Sequence, residues 1–144
     1  MHVTVAAIIE RDGRLLLVEE IVAGKRVINQ PAGHLEPNES LQDAVVRETL
    51  EETGWHFRPD ALVGIYHWQH PDGRDTFVRF CFCGELVRHE ATRELDDGIE
   101  RTVWLSIDEL TQQQAALRSP LVLACINDYR AGRRFEPDLI NTIL

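Results

Sequence analysis

GHLEPNESLQDAVVRETLEETGW, residues 33–55, holds three glutamates within five positions, Glu48, Glu51 and Glu52, directly behind an apolar run. Ser40 and Asp43 form an S-x-x-D capping signature, and Gly54 supplies a stop. The spacing therefore predicts a helix from about Leu41 to Thr53. At about 100° per residue, Leu41, Ala44 and Val45 fall on the same side of that helix as the three glutamates. A charge run is commonly a solvated helix end. Here, however, the acids continue the apolar stripe instead of opposing it. They also crowd the last turn, where the helix dipole is negative and like charges three and four apart repel. Several local penalties at one place point to function. Clustered carboxylate oxygens suit a hard divalent cation, Mg²⁺ or Mn²⁺.

Outward from this helix, the chain mixes strands and helices. VTVAAIIE and RLLLVEE read as strands joined by RDGR, in which Asp12-Gly13 accepts the positive φ of a tight turn. IVAGK reads as a loop, RVINQ as a short strand ended by Pro31, and residues 33–39 as a loop. Beyond the helix, ALVGIYHWQ and TFVRFCFCGELV predict two strands around the turn PDGR, and RTVWLS predicts another. Two helices close the pattern. SIDELTQQ has Ser106 as N-cap and Glu109 completing a capping box, and SPLVLACINDYRAG has Pro120 in its first turn and Gly132 past its end. No linker or repeat interrupts this order, which predicts a mixed α/β fold in one domain spanning residues 1–144.

The chain carries 24 Asp and Glu against 15 Lys and Arg, a formal net charge of −9. That balance argues against a nucleic-acid polymer as partner, because such binding relies on basic surface. An acidic protein that handles a phosphate substrate also needs a local source of positive charge, and a divalent metal is the usual one. No apolar run approaches the roughly 20 residues of a membrane span. MHVTVAAIIE lacks the basic segment and cleavage site of a signal peptide, so a cytoplasmic protein is expected. Cys81 and Cys83 alternate on one strand face. Three cysteines in all make neither a disulfide framework nor a Cys-based zinc site, which leaves core thiols.

The glutamate-rich stretch resembles the signature of the Nudix hydrolases, G-x5-E-x7-R-E-U-x-E-E-x-G-U, where U is bulky and apolar. Gly33, Glu39, Arg47, Glu48, Glu51, Glu52 and Gly54 fill all seven fixed positions of this Nudix box, residues 33–55. At ordinary residue usage that is a coincidence on the order of one in 10⁸. Trp55 suits the last U position, whereas Thr49 departs from the first, which touches a packing contact rather than the chemistry. The resemblance implies the Nudix fold, an α/β/α sandwich around a mixed β-sheet. It also implies hydrolysis of a diphosphate linkage with divalent metal held by the glutamates. Carried over by position, Glu48 and Glu52 become metal ligands, and Glu51 a third ligand or the base for water. Arg47 pairs with a motif glutamate, for which Glu39 is the candidate, and orients the catalytic one. Gly33 lets the backbone approach the metal and offers its carbonyl as an extra ligand. HVTVA, NQPAGHLE and RSPLV further resemble the bacterial NudJ phosphatase subgroup of that family. This second resemblance implies nucleoside di- and triphosphates or thiamine-type pyrophosphates as small-molecule substrates, and orthophosphate as product.

Other residues carry two readings each. Asn29 and Gln30 are amides at a strand end, suited to reading a heterocycle or to hydration in a loop. His34, next to Gly33, is placed for a phosphate contact or for a structural hydrogen bond. In YHWQH, Tyr66 and Trp68 offer stacking surface or core, while His67 and His70 lack companion ligands for zinc. Arg79 shares a strand face with Phe77, Cys81 and Cys83. It needs a substrate phosphate, a motif carboxylate or an exposed sheet end. Nudix enzymes often recruit an additional acid from a loop such as RELDDGIE, where Glu94, Asp97 and Glu100 compete for the part.

Two functional classes fit these features. One is a Mg²⁺-dependent pyrophosphohydrolase, and the other is a Nudix-like binding or regulatory domain without turnover. Degenerate family members lose motif glutamates and this chain keeps all of them, which favours the enzyme. The sequence carries no signal for oligomeric state.

Overall fold

The computed structural model describes residues 1–144. The strands are β1 (His2–Ile8), β2 (Glu10–Arg11), β3 (Arg14–Val22), β4 (Lys25–Asn29), β5 (Ala32–His34), β6 (Trp55–Gln69), β7 (Thr76–His89) and β8 (Ile99–Leu105). The α-helices are α1 (Leu41–Thr53), between β5 and β6, followed after β8 by α2 (Ile107–Gln112) and α3 (Pro120–Arg130). One sheet is mixed, in the order β5-β1-β7-β6, with β1 and β7 parallel and the other neighbours antiparallel. The second sheet is antiparallel and built on β3, which pairs with β2, β4 and β8. The chain passes from the second sheet to the first at Gln30–Pro31.

Alternation along the strands sorts the core onto two faces. Val5, Ala7, Ile9, Leu16 and Phe82 pack with Ala44 and Val45 of α1. The residues between them, among them Ala6, Ile8, Leu15, Leu17 and Cys81, pack with Leu110 of α2 and with Val122, Cys125 and Ile126 of α3. This is the expected α/β/α sandwich of the Nudix fold. A fully buried side chain such as Phe82 contributes about 1.5–3 kcal/mol, and truncating it to alanine would cost about 3–5 kcal/mol. All three cysteines are free and buried.

Three local expectations differ from the structure. IVAGK is not a loop: β3 runs through Val22 and turns at Ala23-Gly24, where both residues have positive φ (52° and 77°). The two-residue turn closes a hairpin, but an alanine at its first position gives little warning of it. Residues 32–34 form β5 against β1 instead of opening a loop, because Ala6 pairs with Ala32 and Thr4 with His34. Finally, β6 begins at Trp55 and tolerates Pro59. It is an edge strand, and the proline sits at a register shift where no ladder donor is required.

Candidate active site

The α1 helix has the predicted caps. Ser40 Oγ accepts from the Asp43 N–H at 3.0 Å, and Gly54, at φ 77°, donates its N–H to the Leu50 carbonyl. Its inner face buries Ala44 and Val45 and then, in the last two turns, Glu48, Thr49, Glu52 and Thr53. Thr49 is fully buried at the position where the Nudix box has a bulky apolar residue, and its hydroxyl finds no partner. An unsatisfied buried hydroxyl costs about 1–3 kcal/mol.

Carboxylate oxygens of Glu48, Glu52 and Asp96 lie within 4.8 Å of one another. Asp96 is held there by its backbone N–H, which donates to the Glu51 carbonyl at 3.0 Å. Glu52 accepts from the Ala32 N–H at 2.9 Å. Burial nevertheless pushes the Glu52 carboxyl up to about 9, with the charges of Glu20, Glu48 and Asp96 adding to the shift. Burial also raises Glu48, against the opposing pull of Arg47. A Cβ on Gly33 would overlap the Glu48 carboxylate, so any side chain at that point of β5 would push the carboxylate aside. Crowded carboxyl groups around a notch of bare backbone, those of Glu48 and Glu52 buried on α1 and that of Asp96 exposed on its loop, form a donor set suited to a hard divalent cation. When bound, such an ion neutralises phosphate charge and makes coordinated water a stronger acid.

Arg47 ties the box together. Its Nε and Nη2 donate to the two oxygens of Glu39 at 3.0 and 2.7 Å, and Nη1 donates to Glu48 at 2.8 Å and to Glu51 at 3.3 Å. Nη2 also donates to the His34 carbonyl at 3.0 Å. Hydrogen bonds to Glu39, then to Glu48, raise the pKa of the guanidinium, which stays charged. Glu51 is half-buried and turns its carboxylate to Arg47 instead of joining the three-residue cluster. The loop acid in that cluster is Asp96, not its neighbours Glu94, Asp97 and Glu100, the candidates that the local sequence offers. Four acids in eight residues look alike in sequence, and only the backbone bond to α1 singles one out.

On the α3 side of the mixed sheet lies a cavity of about 350 Å³, lined by Thr4, Asn29, His34, Trp68, Phe77 and Arg79 among others. Arg79 is 6% exposed. Its Nη1 donates to Gln30 Oε1 at 2.9 Å, and its Nε, also buried, has no partner. Arg79 therefore occupies neither an exposed sheet end nor a pairing with a motif carboxylate. Gln30 is fully buried, with its amide shared among Arg79, the Ala7 carbonyl and Cys81 Sγ, so it meets the cavity through Arg79. Asn29 lines the cavity while its Oδ1 accepts from the Gln30 N–H. His34 stands at the rim, its Nε2 3.0 Å from Nδ1 of His2, which in turn meets Asp75. Trp68 is a cavity wall, and Tyr66 donates its hydroxyl to Asp128. His67 is exposed, whereas His70 lines the cavity.

Glu20 and Arg118 connect the two regions. They face each other at 3.3 Å, and both line the cavity as well as a smaller cleft that contains Glu52 and Asp96. Burial raises the Glu20 carboxyl, with Arg118 opposing. No local sequence signal marks either residue. Glu20 ends an apolar strand as an ordinary surface acid would, and Arg118 offered only its place in RSPLV.

A family model for the NUDIX domain matches residues 1–124. The chain belongs to the Nudix hydrolase family. The phosphatase NudJ of Escherichia coli K12 is 41% identical over 139 residues, covering 96% of this chain and 90% of NudJ. Among solved structures, a NUDIX hydrolase from Nitrosomonas europaea superposes with a TM-score of 0.96 at 51% identity, covering 99% of this chain and 97% of that one. The NUDIX domain of Shewanella oneidensis NrtR, solved with ADP ribose, superposes with a TM-score of 0.73 at 19% identity over 92% of this chain and 88% of that one. That last likeness concerns the fold alone. As a Nudix hydrolase the protein acts on pyrophosphate bonds, and its family generally uses divalent metals. The carboxylate cluster on the inner face of α1 falls within its Nudix box, with Asp96 added from outside.

Proposed function

We propose that this Nudix hydrolase is a Mg²⁺-dependent phosphohydrolase, with Mn²⁺ able to substitute, that releases orthophosphate from nucleoside di- and triphosphates or thiamine-type pyrophosphates. The observation that carries this reading is the Glu48–Glu52–Asp96 cluster, its two glutamates buried and its aspartate open to solvent, beside a cavity large enough for one ring system. The similarity to the phosphatase NudJ along nearly the whole chain supports the product class.

In this reading the whole of residues 1–144 forms one catalytic domain acting on a small molecule. Glu48 and Glu52 hold the metal together with Asp96, and the Gly33 carbonyl is an extra ligand. Glu51 serves as a further ligand or as the base for water. Arg47 is a positioning residue: clamped by Glu39, it fixes Glu48 and Glu51 and cannot drift with the substrate. The Ala32 N–H does the same for Glu52. Asn29, His34 and Arg79 contact the substrate, and Gln30 supports Arg79 from below. Closely held carboxylates favour the transition state by orientation, because little rearrangement remains when the phosphate arrives.

Phosphorus NMR of the reaction products, with and without Mg²⁺, tests the proposal. Orthophosphate should appear first from a nucleoside triphosphate, and thiamine pyrophosphate should give the monophosphate. Pyrophosphate as first product would refute the substrate-end assignment. Absence of turnover on every pyrophosphate offered would leave a binding domain.

A further inference from the structure

The pairing of β1 with β7 and of β6 with β7 lays side chains out in rows on the α3 face of the mixed sheet. The outermost row is Trp68, Phe77 and His2, the next contains Arg79, Thr4 and His34, and the third contains Cys81, Ala6 and Ala32. Exposure falls along these rows, from a half-buried Phe77 through Arg79 at 6% to Cys81 at 0%. Arg79 and Thr4 therefore form the floor of the cavity, with the apolar core directly beyond. Above them stand aromatic walls: Trp68 lies 5.5 Å from Phe77, and His2 stacks on Phe77 at 4.6 Å.

Both floor residues carry buried, unused hydrogen-bonding atoms, Arg79 Nε and Thr4 Oγ1. No carboxylate comes within salt-bridge distance of Arg79, and Gln30 takes only Nη1. A buried guanidinium left this way is costly unless a visitor completes it. The visitor is constrained by where the carboxylates lie. Gly33, whose missing side chain makes room for Glu48, pairs with Val5, so it belongs to the α1 face of the edge strand β5. Arg79 is on the opposite face and two strands further in, which at the usual strand spacing is about 10 Å. Neighbouring phosphates of one chain are much closer together than that. A phosphate chain gathered at the carboxylates would leave the substrate's other end over Arg79.

We infer that Arg79 and Thr4 read the ring of the substrate and not its phosphates: they donate to an edge bearing hydrogen-bond acceptors, a ring carbonyl oxygen or a bare ring nitrogen, of a flat heterocycle lying against the aromatic wall that Trp68 leads. This rests on the pyrophosphohydrolase reading above and adds to it the residues that determine specificity. Arg79 is a donor only, and so it selects acceptors. The Thr4 hydroxyl is free to follow.

The test compares a ring-bearing substrate with a ring-less one, a nucleoside triphosphate against ribose 5-triphosphate, in the wild type, Arg79→Met and Thr4→Val. Loss of the Arg79 contact should lower kcat/KM for the nucleotide by roughly 10- to 100-fold, as expected for a charge-assisted hydrogen bond. Hydrolysis of ribose 5-triphosphate should stay within twofold of wild type. Thr4→Val should show the same asymmetry with a smaller loss, and it decides the matter if Arg79→Met does not fold. Equal losses on both substrates would place Arg79 on a phosphate and overturn the inference, as would no loss on either. Calorimetric binding of the same two compounds without metal gives the comparison independently of turnover. An inactive wild type that still shows ring-dependent loss of binding would refute the enzymatic reading alone.

Discussion

Replacing Glu52 with glutamine should end turnover and yet leave the metal-free protein increasingly more stable than the wild type as the pH rises. The folded carboxyl titrates at about 9 against an ordinary 4.5, chiefly because it is buried. Between those values the folded chain holds a proton that the unfolded chain has released. Stability from this group is therefore full below about 4.5 and is lost progressively toward 9. Each pH unit in that window costs about 1.4 kcal/mol. From pH 6 to pH 8 the wild type should lose about 2–3 kcal/mol through Glu52, or roughly 5–10 °C in melting temperature for a chain of this size. Glutamine keeps an oxygen to accept from the Ala32 N–H but has no proton to lose, so this part of the slope should vanish. Glu48 and Glu20 are raised in the same direction and leave a common residual fall in both proteins, which the difference removes. Saturating Mg²⁺ competes with the proton, so it should raise and flatten the wild-type curve and do little for Glu52→Gln. Scanning calorimetry at pH 6, 7 and 8, in EDTA and in Mg²⁺, reads all four curves. Parallel slopes for the two proteins in EDTA would refute the reasoning, and full activity in Glu52→Gln would remove the residue from the site.

Three further outcomes are expected. Arg47→Lys replaces a bidentate fork with a point charge, so it should cost about 1–3 kcal/mol of stability and at least tenfold in kcat, measured by urea unfolding and phosphate release. Gly33→Ala should drive a methyl group into the Glu48 carboxylate and weaken Mg²⁺ binding by calorimetry, with about 1–3 kcal/mol lost to overpacking. Thr49→Val removes a buried hydroxyl that has no partner while keeping its shape, and should raise the melting temperature by the equivalent of about 1 kcal/mol with kcat unchanged.

What the sequence determined by itself was short in range. Ser40, Asp43 and Gly54 set the ends of α1 because capping is settled within one turn of helix. Ser106 and Glu109 set the start of α2 through a reciprocal capping box. Asp12-Gly13 takes the positive φ its hairpin needs. The 3.6-residue repeat put Glu48 and Glu52 on the core-facing side, and Arg47 reaches Glu39 only eight positions away. Seven fixed positions in 22 residues made the family legible for the same reason: the chemistry is carried by one helix and the loop before it.

Only the tertiary structure chose among residues with identical local chemistry. Asp96 stands out from Glu94, Asp97 and Glu100 through a single backbone bond to Glu51, 45 positions earlier, and no local pattern encodes that contact. Glu20 meets Arg118 across 98 positions. Arg79 could have lain at an exposed strand end or in a pocket, and the parallel register that sets it beside Thr4 decides the matter. Pro59 reads as a strand breaker until β6 is known to be an edge. A side chain's helix face or turn depends on its own dihedrals and its near neighbours. The charge, donor or wall it meets depends on strand order and register, which the whole core selects together.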